Sequence, residues 1–553
     1  MASEAQTKTR IRVDAGQVLG RLPHNWTYIG YDEINYTYTP EGQELLGKFM
    51  ALHDGAYYIR AHHLLCTGNC HGTYKWGSTN AYLENEKGNP IYDWTFVDLI
   101  FDTILKYNAK PFVELGFMPQ HLADPAYYDT TKDNWTAQLY RTVGWACPPK
   151  DYQKWYDLIY HLVEHCAARY GIEEIKGWYW ELWNEPDIFY WRGTPDEFNK
   201  LYDYTAAAVK AVCPEARVGG PSVTNPNPAR KSLAFLDGFL KHCVHGTNDH
   251  SGKTGTALDF ITSHVKGGGY GADPLHRKQK PPSVKQILRD TQTGYDIISQ
   301  YPKLNQLECI LSEIDPDGWA AGGAWDNTNL NFRNTEYYPS FVAASFDKVS
   351  RFAREKEWDL RLLSWAFMFV GERCFEGTRT FSTQGIDKAI LNLYRMYAHM
   401  GDQEVLFESN TSKNPLDYTD PNGYCEGPDI SGFAALSGSQ RLAILIYNHH
   451  DDWDMAEPYE IDVTIENMPF RKQELNLHHY RIDQNHSNAY AEWVRQGQPM
   501  YPEPGQREAM KARDGLELLE PPRALPACDG ALRLNFSLPV HGISLLVIEP
   551  VLS

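Results

Sequence analysis

The sequence lacks any long hydrophobic run. No stretch reaches the roughly 18 apolar residues that a membrane-spanning helix needs, so we expect neither a membrane anchor nor a membrane partner. The first ten residues, MASEAQTKTR, contain no apolar core of the kind found in secretory signal peptides. The sequence therefore predicts a cytoplasmic protein.

An excess of positive charge is also missing. The 553 residues include 52 Lys and Arg against 71 Asp and Glu, which gives a formal net charge of −19. The phosphates of a nucleic acid and the headgroups of anionic lipids would both repel such a chain. We therefore expect no nucleic-acid partner.

The cysteine spacing of a zinc site and the glycine spacing of a dinucleotide-binding loop are absent as well. Among the ten cysteines only Cys66 and Cys70 lie close together, and no second Cys or His pair follows at zinc-site spacing. The run Gly267–Gly269 does not have the spacing of a dinucleotide-binding loop. We expect free thiols and no dinucleotide-binding loop.

Short apolar runs alternate with amphipathic segments from about residue 25 to 400. The strand candidates are Trp26–Gly30, Ala56–His62, Lys110–Phe117, Gly177–Asn184, Ala216–Pro221, Leu258–His264, Glu308–Ile314 and Leu362–Phe369. Helical periodicity covers about 43–53, 92–108, 151–171, 195–212, 231–244, 284–300, 338–356 and 386–400. Eight such repeats predict an α/β fold, the (α/β)8 TIM barrel. An open doubly wound sheet is the weaker alternative, because no glycine-rich phosphate loop follows any strand.

The pattern changes after about residue 400. Strand-like runs joined by turns occur at Arg441–Tyr447, Tyr459–Ile465, Leu475–Ile482, Ala531–Leu538 and Gly542–Ile548, which is typical of a β-sandwich. We predict a barrel domain over residues 20–400 and a β-sandwich over 401–553, joined by an N-terminal strand over 8–19. The polar stretch from about 484 to 527 is interpreted as an excursion outside the core.

Carboxyl side chains end two of the predicted barrel strands, where barrel active sites are built. Glu185 follows the fourth strand and Glu313 ends the seventh. Cleavage of a glycosidic bond needs two such groups, one to protonate the leaving oxygen and one to meet the oxocarbenium-like carbon. Asn184 is well placed to donate to a sugar 2-hydroxyl, and Trp365 could form the floor of a sugar subsite.

These residues carry a resemblance to a known family. Trp183–Pro186 after a strand, together with Glu313, resembles the acid/base and nucleophile pair of the clan of (α/β)8 retaining glycosidases. Within that clan the chain resembles glycoside hydrolase family 39 and its β-xylosidase branch over nearly its whole length. The other segments that carry the resemblance are Arg60–His62, Lys75–Asn80, Gly116–Pro119, Glu313–Gly318, Tyr480–Asp483 and His486–Tyr490.

The resemblance implies a retaining exo-β-xylosidase that removes β-1,4-linked xylosyl units from the non-reducing ends of xylo-oligosaccharides. It implies that Glu185 is the acid/base and Glu313 the nucleophile, without a metal or organic cofactor. The residues that would bind the sugar are His62, Phe117, Asn184, His264, Trp365 and Glu372. Glu372 departs from the family pattern, because relatives carry an acidic residue earlier in that loop. Homo-oligomerisation stays open.

Two alternatives remain at this point. The same mechanism could act on another sugar, as in α-L-iduronidase-like or arabinosidase relatives. A uronate would need an extra cation near the sugar carboxylate, and Lys266 is the candidate. A carbohydrate-binding protein without activity would usually have lost one carboxylate, whereas both are present here.

Overall fold

The computed structural model describes residues 8–70, 77–128, 140, 142–319, 323–366, 372–377, 379–417, 426–438, 440–470, 474–526 and 531–551. Two parts of the expectations above lie outside these residues. They are Lys75 and Trp76 of one motif, and positions 367–371 between the eighth barrel strand and Glu372.

The strands alternate with helices in the first two-thirds of the chain. The strands are β1 Thr9–Arg21, β2 Tyr28–Tyr31, β3 Tyr58–Ala61, β4 Tyr82–Glu84, β5 Pro90–Tyr92, β6 Lys110–Leu115, β7 Tyr179–Leu182, β8 Arg217–Val223, β9 Phe260–Lys266, β10 Glu308–Asp315, β11 Leu360–Trp365, β12 Ser382–Thr383, β13 Ile386–Asp387, β14 Gln403–Ser409, β15 Asp429–Ser437, β16 Arg441–His449, β17 Pro458–Glu466, β18 Leu475–Ile482, β19 Glu517–Leu518, β20 Arg523–Leu525, β21 Leu532–Pro539 and β22 Ile543–Pro550. The parallel strands β2, β3 and β6 to β11 close into a barrel in chain order. The predicted (α/β)8 barrel is confirmed.

Eight of the helices in the described residues overlap the predicted segments, and three were not predicted. The helices are α1 Pro40–Met50, α2 Thr95–Lys106, α3 Tyr152–Tyr170, α4 Ile172–Lys176, α5 Pro195–Val212, α6 Lys231–His245, α7 Val284–Ile298, α8 Tyr337–Glu355, α9 Ala389–Ala398, α10 Ala489–Arg495 and α11 Pro504–Lys511. The three that were not predicted are α4, α10 and α11. No helix among the described residues combines the length and the apolar character needed to cross a membrane.

Helix α3 shows how local sequence sets these elements. The Asp151 carboxylate accepts the backbone N–H groups of Gln153 and Lys154 and so caps the first turn. Gly171 ends the helix with φ of 91°, a conformation that glycine adopts without strain. The apolar stripe between them is fully buried against the barrel, with Trp155, Leu158, Ile159, Leu162, Val163 and Cys166 in it.

The barrel interior is layered, and the layers position the candidate site. Residues two apart in a strand face the same side, so an inward aromatic is followed by an inward polar residue. On β6 these are Phe112 and then Glu114, and on β7 they are Tyr179 and then Glu181. The lower, apolar layer contains Tyr28, Phe112, Tyr179, Phe260, Ile310 and Leu363. A charged layer therefore lies above it, toward the carboxyl ends of the strands.

The C-terminal strands form a second sheet. In the described residues it has ten strands in the order β19-β18-β22-β16-β15-β14-β1-β17-β21, with β20 beside β18. The N-terminal strand β1 lies in the same sheet and pairs with β14 antiparallel and with β17 parallel. One face of β16 buries Leu442, Ile444 and Ile446 in the core of this sheet, while its other face packs toward the barrel helices. The accessory β domain is confirmed, and the division at residue 400 stays a prediction.

The stretch from 484 to 527 is more ordered than predicted. It contains α10 and α11, and Ala489 and Met510 are fully buried against Phe375 and Ile386. The prediction that it lies outside the core was therefore wrong. Because helices of seven and eight residues complete barely two turns, their periodicity is too short to be recognised in a sequence. The stretch therefore packs against residues of the segment 374–386, which follows β11 in the chain.

Candidate active site

Glu185 and Glu313 meet above the barrel interior. Glu185 follows β7, and Glu313 lies near the carboxyl end of β10. The His264 Nδ1 atom lies 2.9 Å from Glu185 Oε1 and 3.7 Å from Glu313 Oε1. One oxygen of each carboxylate and this nitrogen all lie within 4.8 Å of one another. Two carboxyl groups about 5 Å apart are suited to double displacement through a covalent intermediate.

The backbone around Glu185 is held in an uncommon conformation. Trp183 and Glu185 have φ of 69° and 45°, which is strained for residues other than glycine. The Glu185 N–H donates to the Ser222 carbonyl at 2.8 Å, and the Trp183 indole N–H donates to the Tyr190 carbonyl at 2.9 Å. The first bond holds the turn after β7 against β8, and the second lies within the loop that follows β7. The Glu185 side chain is 16% exposed.

Cations surround Glu313. Lys266 Nζ lies 2.6 Å from its Oε2 and the Arg379 guanidinium 3.1 Å from the same oxygen. Burial alone would raise the pKa of the Glu313 carboxyl, but His264, Lys266, His62 and Arg379 together lower it well below its ordinary value. Glu313 is therefore ionised at neutral pH.

Asp315 shares the two cations with Glu313. Its Oδ2 lies 2.6 Å from Lys266 Nζ and 2.8 Å from the Arg379 guanidinium. Although burial opposes the charged form, Lys266 and Arg379 lower the pKa of Asp315 to about 2. Two cations and two carboxylates thus alternate on one side of the site.

Arg60 occupies the centre of the charged layer. Its Nε donates to Glu181 at 2.6 Å, and its guanidinium lies 2.9 Å from Glu114. It also donates to Asn184 Oδ1 at 3.1 Å. The Asn184 carbonyl therefore accepts from Arg60, and the two N–H groups of the amide are the donors that it has for another partner.

His62, rather than His63, faces the site. His62 Nε2 lies 3.5 Å from Glu313 Oε1, and its Nδ1 lies 2.6 Å from Glu114. Burial would lower the pKa of His62, but the Glu114 carboxylate raises it to about 9. His62 is therefore a cation at neutral pH. His63 packs among aromatic rings behind it, against Phe117 and Trp145.

Trp365 forms a wall of the site. Its ring centroid lies 5.0 Å from the Arg379 guanidinium and 5.1 Å from the His62 ring. Gly30 lies directly behind the ring, where an added Cβ would be 2.0 Å from it. Phe117 is fully buried and packs 6.1 Å from the His62 ring. That these two rings touch the sugar stays a prediction.

Glu372 lies beside Gly377 and Lys388. Its carboxylate packs so closely on Gly377 that an added Cβ would be 2.1 Å from Oε2. Burial lowers the pKa of the neighbouring Lys388 to about 8, against the opposing charge of Glu372. The Lys388 ammonium donates to the Gly377 carbonyl at 2.5 Å. Glu372 therefore supports the loop that carries Arg379, and its contact with a sugar hydroxyl stays a prediction.

Several site residues were not predicted. Arg379, Ser222 and the pair Glu114 and Glu181 are among them. A signal existed for the pair, since each is an acidic residue among the apolar residues in the second half of its strand, which points to an ion pair inside the barrel. Arg379 had no such signal, because it lies in a loop without periodicity.

A metal ion fits this site poorly. Within the described residues, Glu185, His264 and Glu313 form the cluster of potential ligands close enough to hold one. However, Lys266 and Arg379 already occupy the second oxygen of Glu313. A further cation would meet their repulsion.

The site opens into a cleft of about 580 Å³. Its lining includes Glu185, Lys266, Tyr270, Arg230 and Lys231. A closed barrel with paired carboxylates at the carboxyl ends of its strands, open to such a cleft, has the architecture of a TIM-barrel glycoside hydrolase.

Comparisons with known proteins agree with this class. The model of the family described as Glycosyl hydrolases family 39 matches residues 9–528, and the chain belongs to that family. A β-xylosidase of Geobacillus stearothermophilus is 26% identical over 550 residues, which cover 96% of this chain and 94% of the relative. An α-L-iduronidase of Mus musculus is 24% identical over 576 residues, which cover 98% of this chain and 81% of the relative.

Solved structures show the same fold. A monomeric β-xylosidase from Caulobacter crescentus CB15 has a TM-score of 0.75 at 21% identity, covering 98% of this chain and 100% of that chain. A bacterial orthologue of human α-L-iduronidase has a TM-score of 0.76 at 19% identity, covering 99% of this chain and 84% of that chain.

Proposed function

We propose that this glycoside hydrolase works by double displacement, with retention of anomeric configuration. The observation that carries the proposal is the separation of Glu185 and Glu313, whose nearest oxygens lie within 4.8 Å of each other. An inverting enzyme would need about 6.5–9.5 Å between the carboxyl groups, to leave room for a water.

The surroundings of the two carboxyls support distinct roles. Glu313 is 5% exposed and ringed by cations, so it is ionised and suited to attack the anomeric carbon. Glu185 is 16% exposed and lines the cleft, where a leaving group would depart. We assign Glu313 as nucleophile and Glu185 as acid/base.

The remaining polar groups fit the same reaction. The Asn184 amide, held by Arg60, is oriented to donate to the sugar 2-hydroxyl, a bond that strengthens in the transition state. His62 and His264 lie on either side of Glu313 Oε1, at 3.5 and 3.7 Å, and complete the sugar subsite.

One candidate sugar is β-xylose. In this reading the enzyme is an exo-β-xylosidase that acts on the non-reducing ends of xylo-oligosaccharides. Support comes from the β-xylosidase relatives, one of which aligns with 96% of this chain at 26% identity. The ordered motifs in the sequence give the same indication.

A hexuronic acid is the second candidate, and the geometry favours it. Xylose has no carboxylate at C5, so it brings no negative charge to a pair of cations. Lys266 and Arg379 are both buried beside Glu313, within 2.6 and 3.1 Å of the same oxygen. A C5 carboxylate could bind there by charge-assisted hydrogen bonds. The α-L-iduronidase relatives are consistent with this candidate.

The test compares the hydrolysis of an aryl β-D-xylopyranoside with that of an aryl α-L-iduronide. Both reactions are monitored by proton NMR. A hexuronidase would give a higher kcat/KM on the iduronide, and a xylosidase on the xyloside. Retention requires that the first sugar detected keeps the anomeric configuration of the substrate. An inverted first product would refute the role of Glu313 whichever sugar is preferred.

A further inference from the structure

Ser222 contacts both the backbone and the side-chain partner of Glu185. Its carbonyl accepts the Glu185 N–H at 2.8 Å, and its hydroxyl lies 2.9 Å from His264 Nε2. The residue is fully buried on β8. The mechanism proposed above gives it no role.

The donors and acceptors around the Ser222 hydroxyl determine the direction in which its hydrogen bonds run. Arg60 can only donate, and its guanidinium donates to Ser222 Oγ at 3.0 Å. The hydroxyl then has one proton of its own to donate. His264 Nε2 at 2.9 Å is a nearer acceptor than Ser312 Oγ at 3.5 Å.

This direction determines which nitrogen of His264 carries a proton. When the imidazole holds a single proton, Nε2 accepts from Ser222 and the proton is on Nδ1, and when the imidazole holds two protons, Nδ1 again carries one of them. Nδ1 lies 2.9 Å from Glu185 Oε1 and donates to it. A continuous relay of hydrogen bonds therefore runs from Arg60 through Ser222 and His264 to Glu185.

The same order of groups occurs in the accessory sheet. Arg481 donates to Ser544 Oγ at 3.1 Å, and Ser544 Oγ lies 2.9 Å from His479 Nε2. Burial and the Arg481 charge lower the pKa of that histidine to about 3. The Arg–Ser–His arrangement therefore occurs at two buried histidines of the described residues.

We infer that Ser222 is a positioning residue that acts through His264 to orient the proton of Glu185. The inference rests on the proposed role of Glu185 as acid/base. Because Glu185 Oε1 accepts from His264, the carboxyl proton is placed on Oε2.

The proposed cycle then balances. As Glu313 forms its bond to C1, the bond from C1 to the glycosidic oxygen breaks and its electron pair stays on that oxygen. The proton on Glu185 Oε2 moves to the same oxygen, and the alcohol leaves. In the second step Oε2 takes a proton from the water that attacks C1, which releases Glu313.

The experiment uses the variants Ser222→Ala and Ser222→Gly, which both remove the hydroxyl. Glycine also suits the φ of 56° at this position, so that variant separates loss of the hydroxyl from backbone strain. The substrates are a 2,4-dinitrophenyl and a 4-methylphenyl glycoside of the sugar that the wild type cleaves. The first leaving group departs without a proton, and the second needs one.

In both variants we expect the loss of kcat/KM to be about tenfold larger on the 4-methylphenyl glycoside than on the dinitrophenyl glycoside. This difference is part of the rate acceleration that a general acid contributes. Ser345→Ala, which removes another fully buried hydroxyl on α8, should leave the ratio of the two substrates unchanged. Equal losses on both substrates in the two Ser222 variants would overturn the inference and leave a structural role.

Glu185→Ala separates this inference from the proposed function. It should lose far more activity on the 4-methylphenyl glycoside than on the dinitrophenyl glycoside. If it does and the Ser222 variants do not, the relay is wrong and the acid/base assignment stands. If Glu185→Ala itself shows no dependence on the leaving group, the acid/base assignment falls, and the relay falls with it.

Discussion

Lys266 and Glu313 form a direct ion pair inside the barrel, with 2.6 Å between Nζ and Oε2. The two residues lie on the adjacent parallel strands β9 and β10, where Lys266 is in register with Asp315, two residues after Glu313. The lysine is one of the groups that keep the pKa of Glu313 well below its ordinary value despite burial. Several predictions depend on this pair and its neighbours.

Replacing the lysine should impair catalysis and change its pH dependence. In Lys266→Met the carboxylate loses a cation, so the pKa of Glu313 rises. Because the attacking carboxylate must be ionised, activity is lost as pH falls through that pKa, and the acid limb of kcat/KM moves to higher pH. We expect about a 10²-fold loss at neutral pH. A pH profile of kcat/KM measures both effects.

The matched control is Lys278→Met, because the Lys278 side chain is 71% exposed and pairs with Asp454 on the surface. It should leave the profile unchanged. An acid limb that stays in place in Lys266→Met would show that the lysine does not stabilise the ionised nucleophile.

Asp315 should influence the choice of sugar. It lies 2.6 Å from Lys266 and 2.8 Å from Arg379, and so neutralises part of their charge. In Asp315→Asn the two cations would offer more attraction to a sugar carboxylate. We expect the ratio of kcat/KM on an aryl α-L-iduronide to that on an aryl β-D-xyloside to rise about tenfold, equivalent to about 1.4 kcal/mol.

The control for this ratio is Asp102→Asn, which breaks a surface ion pair with Arg169. A ratio that is unchanged or reduced in Asp315→Asn would argue that Lys266 and Arg379 do not meet a carboxylate on the sugar.

The barrel and its two carboxyl residues could be predicted from the sequence for a physical reason. Each βα repeat is a local pattern, and residues at strand ends of a closed barrel converge whatever the sequence between them. Glu185 and Glu313 could therefore be brought together without knowing any distance.

The second cation at Glu313 could not be predicted in this way. Arg379 contacts a residue 66 positions away, from a loop whose path depends on packing against α10 and α11. The Ser222 relay has the same limitation. The position of the Ser222 hydroxyl depends on the backbone conformation near the end of β8, where φ is 56°. No hydrophobic pattern in a sequence indicates that angle.

Arg60 should be essential for stability as well as for the site. It is fully buried and is the shared partner of Glu114 and Glu181, which are also fully buried. Arg60→Met would take away the counter-charge of Glu181 and leave Glu114 with His62 as its cationic partner. We expect the free energy of unfolding to fall by about 3–5 kcal/mol, measured by urea denaturation.

Arg169→Met is the comparison for this variant, because Arg169 is 41% exposed in its pair with Asp102. The free energy of unfolding should change by at most about 1 kcal/mol there. A similarly small change in Arg60→Met would mean that Glu114 and Glu181 take up protons or rearrange at little cost.

His479 should make the protein less stable in mild acid. Burial first, and then the charge of Arg481, lower its pKa to about 3 in the folded protein, whereas an unfolded histidine titrates near about 6.5. Below that value the unfolded chain binds a proton that the folded protein does not. Stability contributed by the neutral ring is therefore fully present above about pH 6.5 and declines as the pH falls toward 3, by at most about 1.4 kcal/mol per pH unit.

His479→Gln removes the titrating group, so its free energy of unfolding should change less between pH 7 and pH 5 than that of the wild type. His161→Gln, at a histidine whose side chain is 44% exposed, should keep the pH dependence of the wild type. If His479→Gln also loses stability as steeply as the wild type, other groups must account for the acid sensitivity.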